Sequence, residues 1–345
     1  MKQTFPVIRE LREAEETSGW IKSSIALLPV TGSLVIVSRL NKEKFIKHYS
    51  YAPKPEQLTV DERNDLLKRA ESKFEQETKN FAEVNKKVIG LSQSNIASIL
   101  DVTKDSANGD DIVIREYFSG SSLYDITEGM TVEAMIPLFL GMIAAVEFIH
   151  HHRLLHLNLK PKKVRVTEDA TGYTVKLADF GYAADEKSDP EAIHGVLAFG
   201  APEVLRRQKE KFNETSDIFS IGAIMYYCMT RTLPFPQREG AKDFGRLLEI
   251  LKSEHPPMKP TEANPAILDT PLTTDIQHKK DPEKIKQFEE VVMSILTARK
   301  PKSADEPPDV RKIESAGELH GLLMDIFPDT KIGQAVSSAT ITSGI

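Results

Sequence analysis

Apolar positions change their period along this chain, and the changes divide it into segments. Between Ser23 and Tyr51 the apolar runs are short, SIALLPV, SLVIVSRL and KFIKHYS. They are rich in valine and isoleucine and broken by Pro29, Gly32 and Asn41, which predicts three antiparallel strands joined by tight turns. Residues 52–62, APKPEQLTVDE, form a proline-containing linker with a helix-start signal at Thr59 and Asp61-Glu62. Leu66, Leu67, Ala70, Phe74, Phe81 and Val84 then recur at helical spacing. LSQSNIASILDV and DIVIREYFSGSSL flank a hydrophilic hairpin, TKDSANGDD.

Beyond residue 130 the period is helical. Thr131 to His150 predicts a long apolar helix, TSDIFSIGAIMYYCMTRTLPFP a second buried one, and QFEEVVMSIL and ESAGELHGLLMDIF two amphipathic ones. Residues 253–283, rich in proline, threonine and charge, read as a long loop. From Asp329 the tail is small and polar, with the character of a mobile terminus. Strands come first and helices follow, so the expected class is α+β. No internal repeat is visible.

Composition narrows the field of functions. With 345 residues, 40% hydrophobic and 28% charged, the chain resembles an ordinary globular protein. A formal net charge of −6, from 45 basic and 51 acidic residues, offers no reason to expect a nucleic-acid partner. Cys228 is the single cysteine, cannot form an intrachain disulfide, and lies in the run IGAIMYYCMT, which makes it a buried thiol. The first twenty residues lack the apolar core of a signal peptide. The apolar run MIPLFLGMIAAVEFIH is interrupted by Pro137, Gly141 and Glu147, so a core helix is expected in place of a membrane span. A cytoplasmic location follows as an expectation.

Three loops carry the candidate chemistry. HLNLKPKK (His156 to Lys163) follows the long apolar helix, Asp179-Phe180-Gly181 follows a strand, and Ala201-Pro202-Glu203 lies 24 positions after Asp179 at its glutamate. Together they resemble the catalytic loop, the metal-binding loop and the A-P-E motif of a eukaryotic-type protein kinase of the serine/threonine class. The resemblance runs from about residue 20 to 327 and is strongest between His156 and Pro236. It implies a bilobal fold with a small antiparallel-sheet N-lobe over residues 21–117 and a mainly helical C-lobe over 118–328. Residues 1–20 would be an N-terminal extension and 329–345 a tail. Phe81, His156, Phe180 and Asp217 match the hydrophobic column of the family, and Asp217 the aspartate that holds the catalytic-loop backbone.

The chain departs from the family where chemistry is concentrated. Asn158 stands for the aspartate that takes the substrate hydroxyl's proton, and a neutral amide cannot take a proton. Lys163 stands for the asparagine that coordinates a second magnesium, and an ammonium has no lone pair to offer. Leu157 replaces the arginine that reads activation-loop phosphate, and Val196 replaces a threonine that contacts the catalytic aspartate and lysine. Lys160 and Asp179 keep their types, Asp179 being the one remaining metal-ligand candidate.

The nucleotide positions implied by the resemblance are altered too. Lys47 falls at the lysine of V-A-I-K, Glu77 at the glutamate that pairs with it, and Glu116 and Tyr117 at the hinge. The glycine-rich loop aligns with Leu27 to Leu34 and keeps only Gly32, and Leu27 and Pro29 obstruct the approach of backbone amides to phosphate. Phe45 in place of a small alanine, Arg115 at the gate of the adenine pocket and Arg165 under the base would crowd that pocket. The expectation is a pseudokinase that acts as a scaffold or allosteric regulator through a protein partner, with no cofactor. The alternatives are a weak serine/threonine kinase using ATP and magnesium, and a switch that binds ATP without turnover.

Overall fold

The computed structural model describes residues 7–10, 21–27, 33–50, 58–91, 93–105, 109–118, 120–169, 172–178, 197–241, 244–269, 281–297 and 313–330. The chain forms two compact units. In the smaller, strands β1 (Val7–Glu10), β2 (Ile21–Leu27), β3 (Leu34–Leu40), β4 (Ile99–Lys104) and β5 (Asp111–Glu116) make one antiparallel sheet in the order β1-β2-β3-β5-β4. Val7–Glu10 is therefore an edge strand inside what the sequence suggests is an extension. Ala26, Val35 and Ile114 form one core cluster of the sheet, with Val37 packed against it. β3 sits centrally because its β-branched residues suit a strand flanked on both sides.

The segment read as a third strand, KFIKHYS, is helical. Helix α1 (Lys42–Tyr49) begins where Asn41 ends β3, with the Phe45 amide donating to the Asn41 carbonyl at 3.0 Å. Eight residues match a strand or a helix equally well by period alone, and here packing decides. Phe45, fully buried, meets Phe74 edge-on at 5.5 Å. Phe74 belongs to α2 (Val60–Val88), which starts at the capping box Thr59/Glu62: the Thr59 hydroxyl accepts from the Glu62 amide and the Glu62 carboxylate from the Thr59 amide.

The larger unit is mainly helical. It holds β6 (Ser121–Ser122), α3 (Leu123–Ile126), α4 (Val132–His151), β7 (Val164–Asp169), β8 (Gly172–Leu177), α5 (Pro202–Leu205), α6 (Glu214–Thr230) and α7 (Phe244–Ser253). After these come α8 (Pro260–Ala263), α9 (Ala266–Asp269), α10 (Pro282–Thr297) and α11 (Ala316–Ile326). Two short helices thus lie in the stretch read as a loop from 253 to 283. Gln93–Ile96 also belongs to this unit. The Asn95 side chain donates to the Val175 carbonyl at 2.9 Å and its own carbonyl accepts from the Leu177 amide at 2.7 Å, stitching the segment to β8.

Close packing fixes the helices around the site. A Cβ on Gly141 of α4 would lie 2.8 Å from the Val175 Cβ, so α4 runs hard against β8. Phe139 of α4 stacks on Phe288 of α10 at 5.9 Å. By length and composition α4 could cross a membrane, but 67% of that stretch is buried within the fold, as in the core helix the sequence leads one to expect.

Candidate active site

The loop after α4 is built around one carboxylate. Asp217, in the first turn of α6 and fully buried, accepts the amide of His156 at 2.7 Å on Oδ2 and the amide of Leu157 at 2.7 Å on Oδ1. Leu157 has φ +54, a conformation that costs a branched side chain roughly 1–2 kcal/mol. The two charge-assisted hydrogen bonds offset that cost. A third partner is His150 at the end of α4, whose Nε2 lies 2.9 Å from Oδ2. Burial pushes the Asp217 carboxyl upward, but the hydrogen bond from His150, the electrostatic attraction of His150 and His156 and the His156 amide outweigh it and hold its pKa below the usual carboxylate value. An ionised carboxylate only accepts, so the His150 Nε2 is the donor.

This scaffold presents Asn158 one residue further on. Its backbone amide approaches the His156 Nδ1 at 3.4 Å. Its Oδ1 is buried and has no hydrogen-bond partner among the described residues. Lys160 is half-buried, and Pro161 starts the short 3-10 turn Pro161–Lys163. Lys163 is completely buried, and its carbonyl accepts the Ala178 amide at 2.9 Å, so the backbone joins this turn to the end of β8. Arg165, on β7, aims its guanidinium at the Gly120 carbonyl. Glu203 accepts from the Ser216 hydroxyl at 2.6 Å, which ties α5 to the start of α6. Asp179, and with it the metal-loop assignment, lies outside the described residues, as does Val196.

In the smaller unit several expectations are corrected. Lys47 is exposed on α1 and stands on no strand, so it is not the strand lysine. Phe45 is spent on packing against α2, and its crowding of a base disappears as an explanation. Gly32 lies outside the described residues and on the β2–β3 connection, whereas the connection between the first two strands is residues 11–20. The side chain of Glu77 is likewise outside the description, although its backbone lies in α2.

β3 reads Val35-Ile36-Val37-Ser38, and Ser38 pairs with Val113, two residues before Arg115. Ser38 and Arg115 line one small cavity with Phe81 and Asn85 of α2. Phe81 is one helical turn beyond Glu77. Ser38 is 5% exposed, and its hydroxyl is hydrogen-bonded to that of Ser23 at 2.8 Å. Glu116 at the end of β5 accepts the Ser98 amide at 3.0 Å, and Tyr117 beyond it is half-buried. Sequence reasoning missed Ser38 and His150. A strand count that included Val7–Glu10 would have found the first, whereas nothing in the run of histidines marks the second.

Comparison with known proteins agrees with the fold. The model of the protein kinase domain matches residues 63–301. Serine/threonine-protein kinase dkf-2 of Caenorhabditis briggsae is 36% identical over 104 residues, 30% of this chain and 9% of that protein. Human serine/threonine-protein kinase ULK1 is 33% identical over 156 residues, 42% of this chain and 14% of its own length. A probable serine/threonine-protein kinase of Clostridium perfringens is 28% identical over 177 residues, 49% and 25% respectively. The chain belongs to the protein kinase domain family. These alignments span a quarter or less of the relatives' own lengths.

Proposed function

We propose that the chain is a pseudokinase, a kinase-fold protein that does not transfer phosphate and acts as a scaffold or allosteric regulator by binding another protein. The observation that carries this reading is Asn158 at the position of the proton acceptor, in a loop otherwise held as the family's is by Asp217. Loss of a general base alone costs a factor of about 10² to 10⁴. Lys163 and Ser38 compound it, one placing a buried ammonium where a magnesium ligand is needed, the other removing the cation that meets phosphate on the strand. Asn158, Lys163 and Ser38 do not fit a magnesium-nucleotide complex, since none offers a carboxylate to the metal and Ser38 offers no cation to phosphate.

A second reading is a weak serine/threonine kinase, or a switch that holds ATP without turnover. It is favoured by the retained Lys160 and Asp179 and by relatives whose names are those of serine/threonine kinases. Phosphoryl transfer passes through a loose transition state that needs little base assistance. Labelled ATP with magnesium or manganese, offered to the chain and a generic basic protein, separates the readings. The expected result is no transfer, no nucleotide-dependent rise in Tm, and no activity from Asn158→Asp alone. Transfer that Asp179→Ala abolishes would establish the enzyme.

A further inference from the structure

The larger unit carries a groove of about 570 Å³ that no part of the phosphoryl-transfer chemistry uses. Its walls come from α5, from α6, from the segment 251–256 that ends α7, and from the end of α10. Phe219, Phe235 and Leu251 give it an apolar base, and Arg206, Lys252 and His255 stand at its rim. Lys252, Ser253, His255 and Pro256 are exposed, so the groove is open along one side. A small-molecule pocket encloses most of its ligand, whereas an open groove suits a chain laid along it.

The charge of the groove is one-sided. Its one carboxylate, Glu254, is neutralised by Arg238, with Nε on Oε1 at 2.6 Å and Nη2 on Oε2 at 2.7 Å. Arg238 is completely buried, 4.1 Å from the Phe235 ring and 5.5 Å from that of Phe219, and it donates to the Gly200 carbonyl at 2.8 Å. Arg206 donates to the Leu251 carbonyl at 2.8 Å and has no carboxylate partner among the described residues. Arg206 and Lys252 thus bring two cationic side chains to the groove with no carboxylate partner among the described residues, on a protein whose net charge is −6. The Arg238 lock sets the aromatic wall in advance, which lowers the cost of ordering it on binding.

We propose that this groove docks an acidic, apolar peptide segment of a partner protein, with an aliphatic or aromatic anchor against Phe235 and Leu251 and flanking carboxylates on Arg206 and Lys252. The proposal rests on the reading of the chain as a protein-binding module and names the chemistry of its partner. Complementary rim charge raises the association rate and makes binding salt-sensitive.

The test is a displayed library of short random peptides lacking serine, threonine and tyrosine, selected on the full chain, with one enriched peptide then titrated by fluorescence anisotropy. Enriched sequences should pair carboxylates with an apolar anchor, and binding should weaken as salt rises. Reversing charge in Lys252→Glu, an exposed site, should weaken it about tenfold, and Arg206→Glu likewise, with Tm measured to confirm folding. Absence of enrichment, enrichment of purely apolar or basic sequences, or affinity indifferent to Lys252→Glu would overturn the proposal. Because such peptides carry no phosphate acceptor, their failure to bind leaves the phosphate-transfer assay to judge the pseudokinase reading independently.

Discussion

The Leu157 amide sits 2.7 Å from Asp217 Oδ1 while its own φ is +54, so a buried branched side chain is kept in a left-handed conformation by a carboxylate 60 residues later. The pairing explains how this loop keeps its course. Removing the carboxylate would orphan two buried amides and the His150 donor together. Asp217→Ala should therefore cost about 3–5 kcal/mol, read as a lower urea midpoint with little change in slope.

Strain at Leu157 can be measured apart from its packing. Leu157→Ala and Leu157→Gly both remove the buried side chain, but only glycine is at ease at positive φ. The glycine variant should be more stable than the alanine variant by about 1 kcal/mol in the same denaturation assay. Equal stabilities would mean that the loop relaxes to negative φ in the variants.

The lowered pKa of Asp217 sets a pH dependence of known sign. Folded, the group releases its proton at a lower pH than when unfolded, where it titrates near about 3.9. Its contribution is complete above that unfolded value and is lost as pH falls through the folded one. Acid unfolding should be less steep in Asp217→Asn, while at neutral pH the variant is uniformly less stable.

Burial pushes the Cys228 thiol up to about 12, and the residue is 1% exposed. A thiol so placed carries almost no thiolate at neutral pH. Iodoacetamide at pH 8 should leave the native protein unmodified and label Cys228 fully in denaturant.

Helices α6 and α10 approach closely at Gly222, where an added Cβ would stand 2.5 Å from Ile295 Cγ2. Gly222→Ala should cost about 1–3 kcal/mol by overpacking. Ile295→Ala in the same chain should return part of that loss, a coupling that a double-mutant cycle resolves.

Legibility in the sequence followed how local each feature is. The catalytic-loop letters, A-P-E and Asp217 could be read as motifs because they stand in short contiguous stretches, HLNLKPKK, APE and TSDIFS. Thr59 and Glu62 announced the start of α2 through a three-residue rule. The strand lysine could not be placed, because KEKFIKHY satisfies two periods over eight residues and Val7–Glu10 is too short to show any. Once that edge strand is counted, Lys47 falls on α1 beyond the third strand. His150 with Asp217, and Arg238 with Glu254, are side-chain meetings 67 and 16 residues apart that no local pattern encodes.

The edge-to-face contact of Phe45 with Phe74 bears on how this sheet unit could be regulated. Helix α2 is riveted through an aromatic clasp to α1, which is itself only one residue from the end of β3. Any swing of α2 would have to drag α1 along or break the clasp, so this part of the molecule is built as a fixed strut more than as a lever.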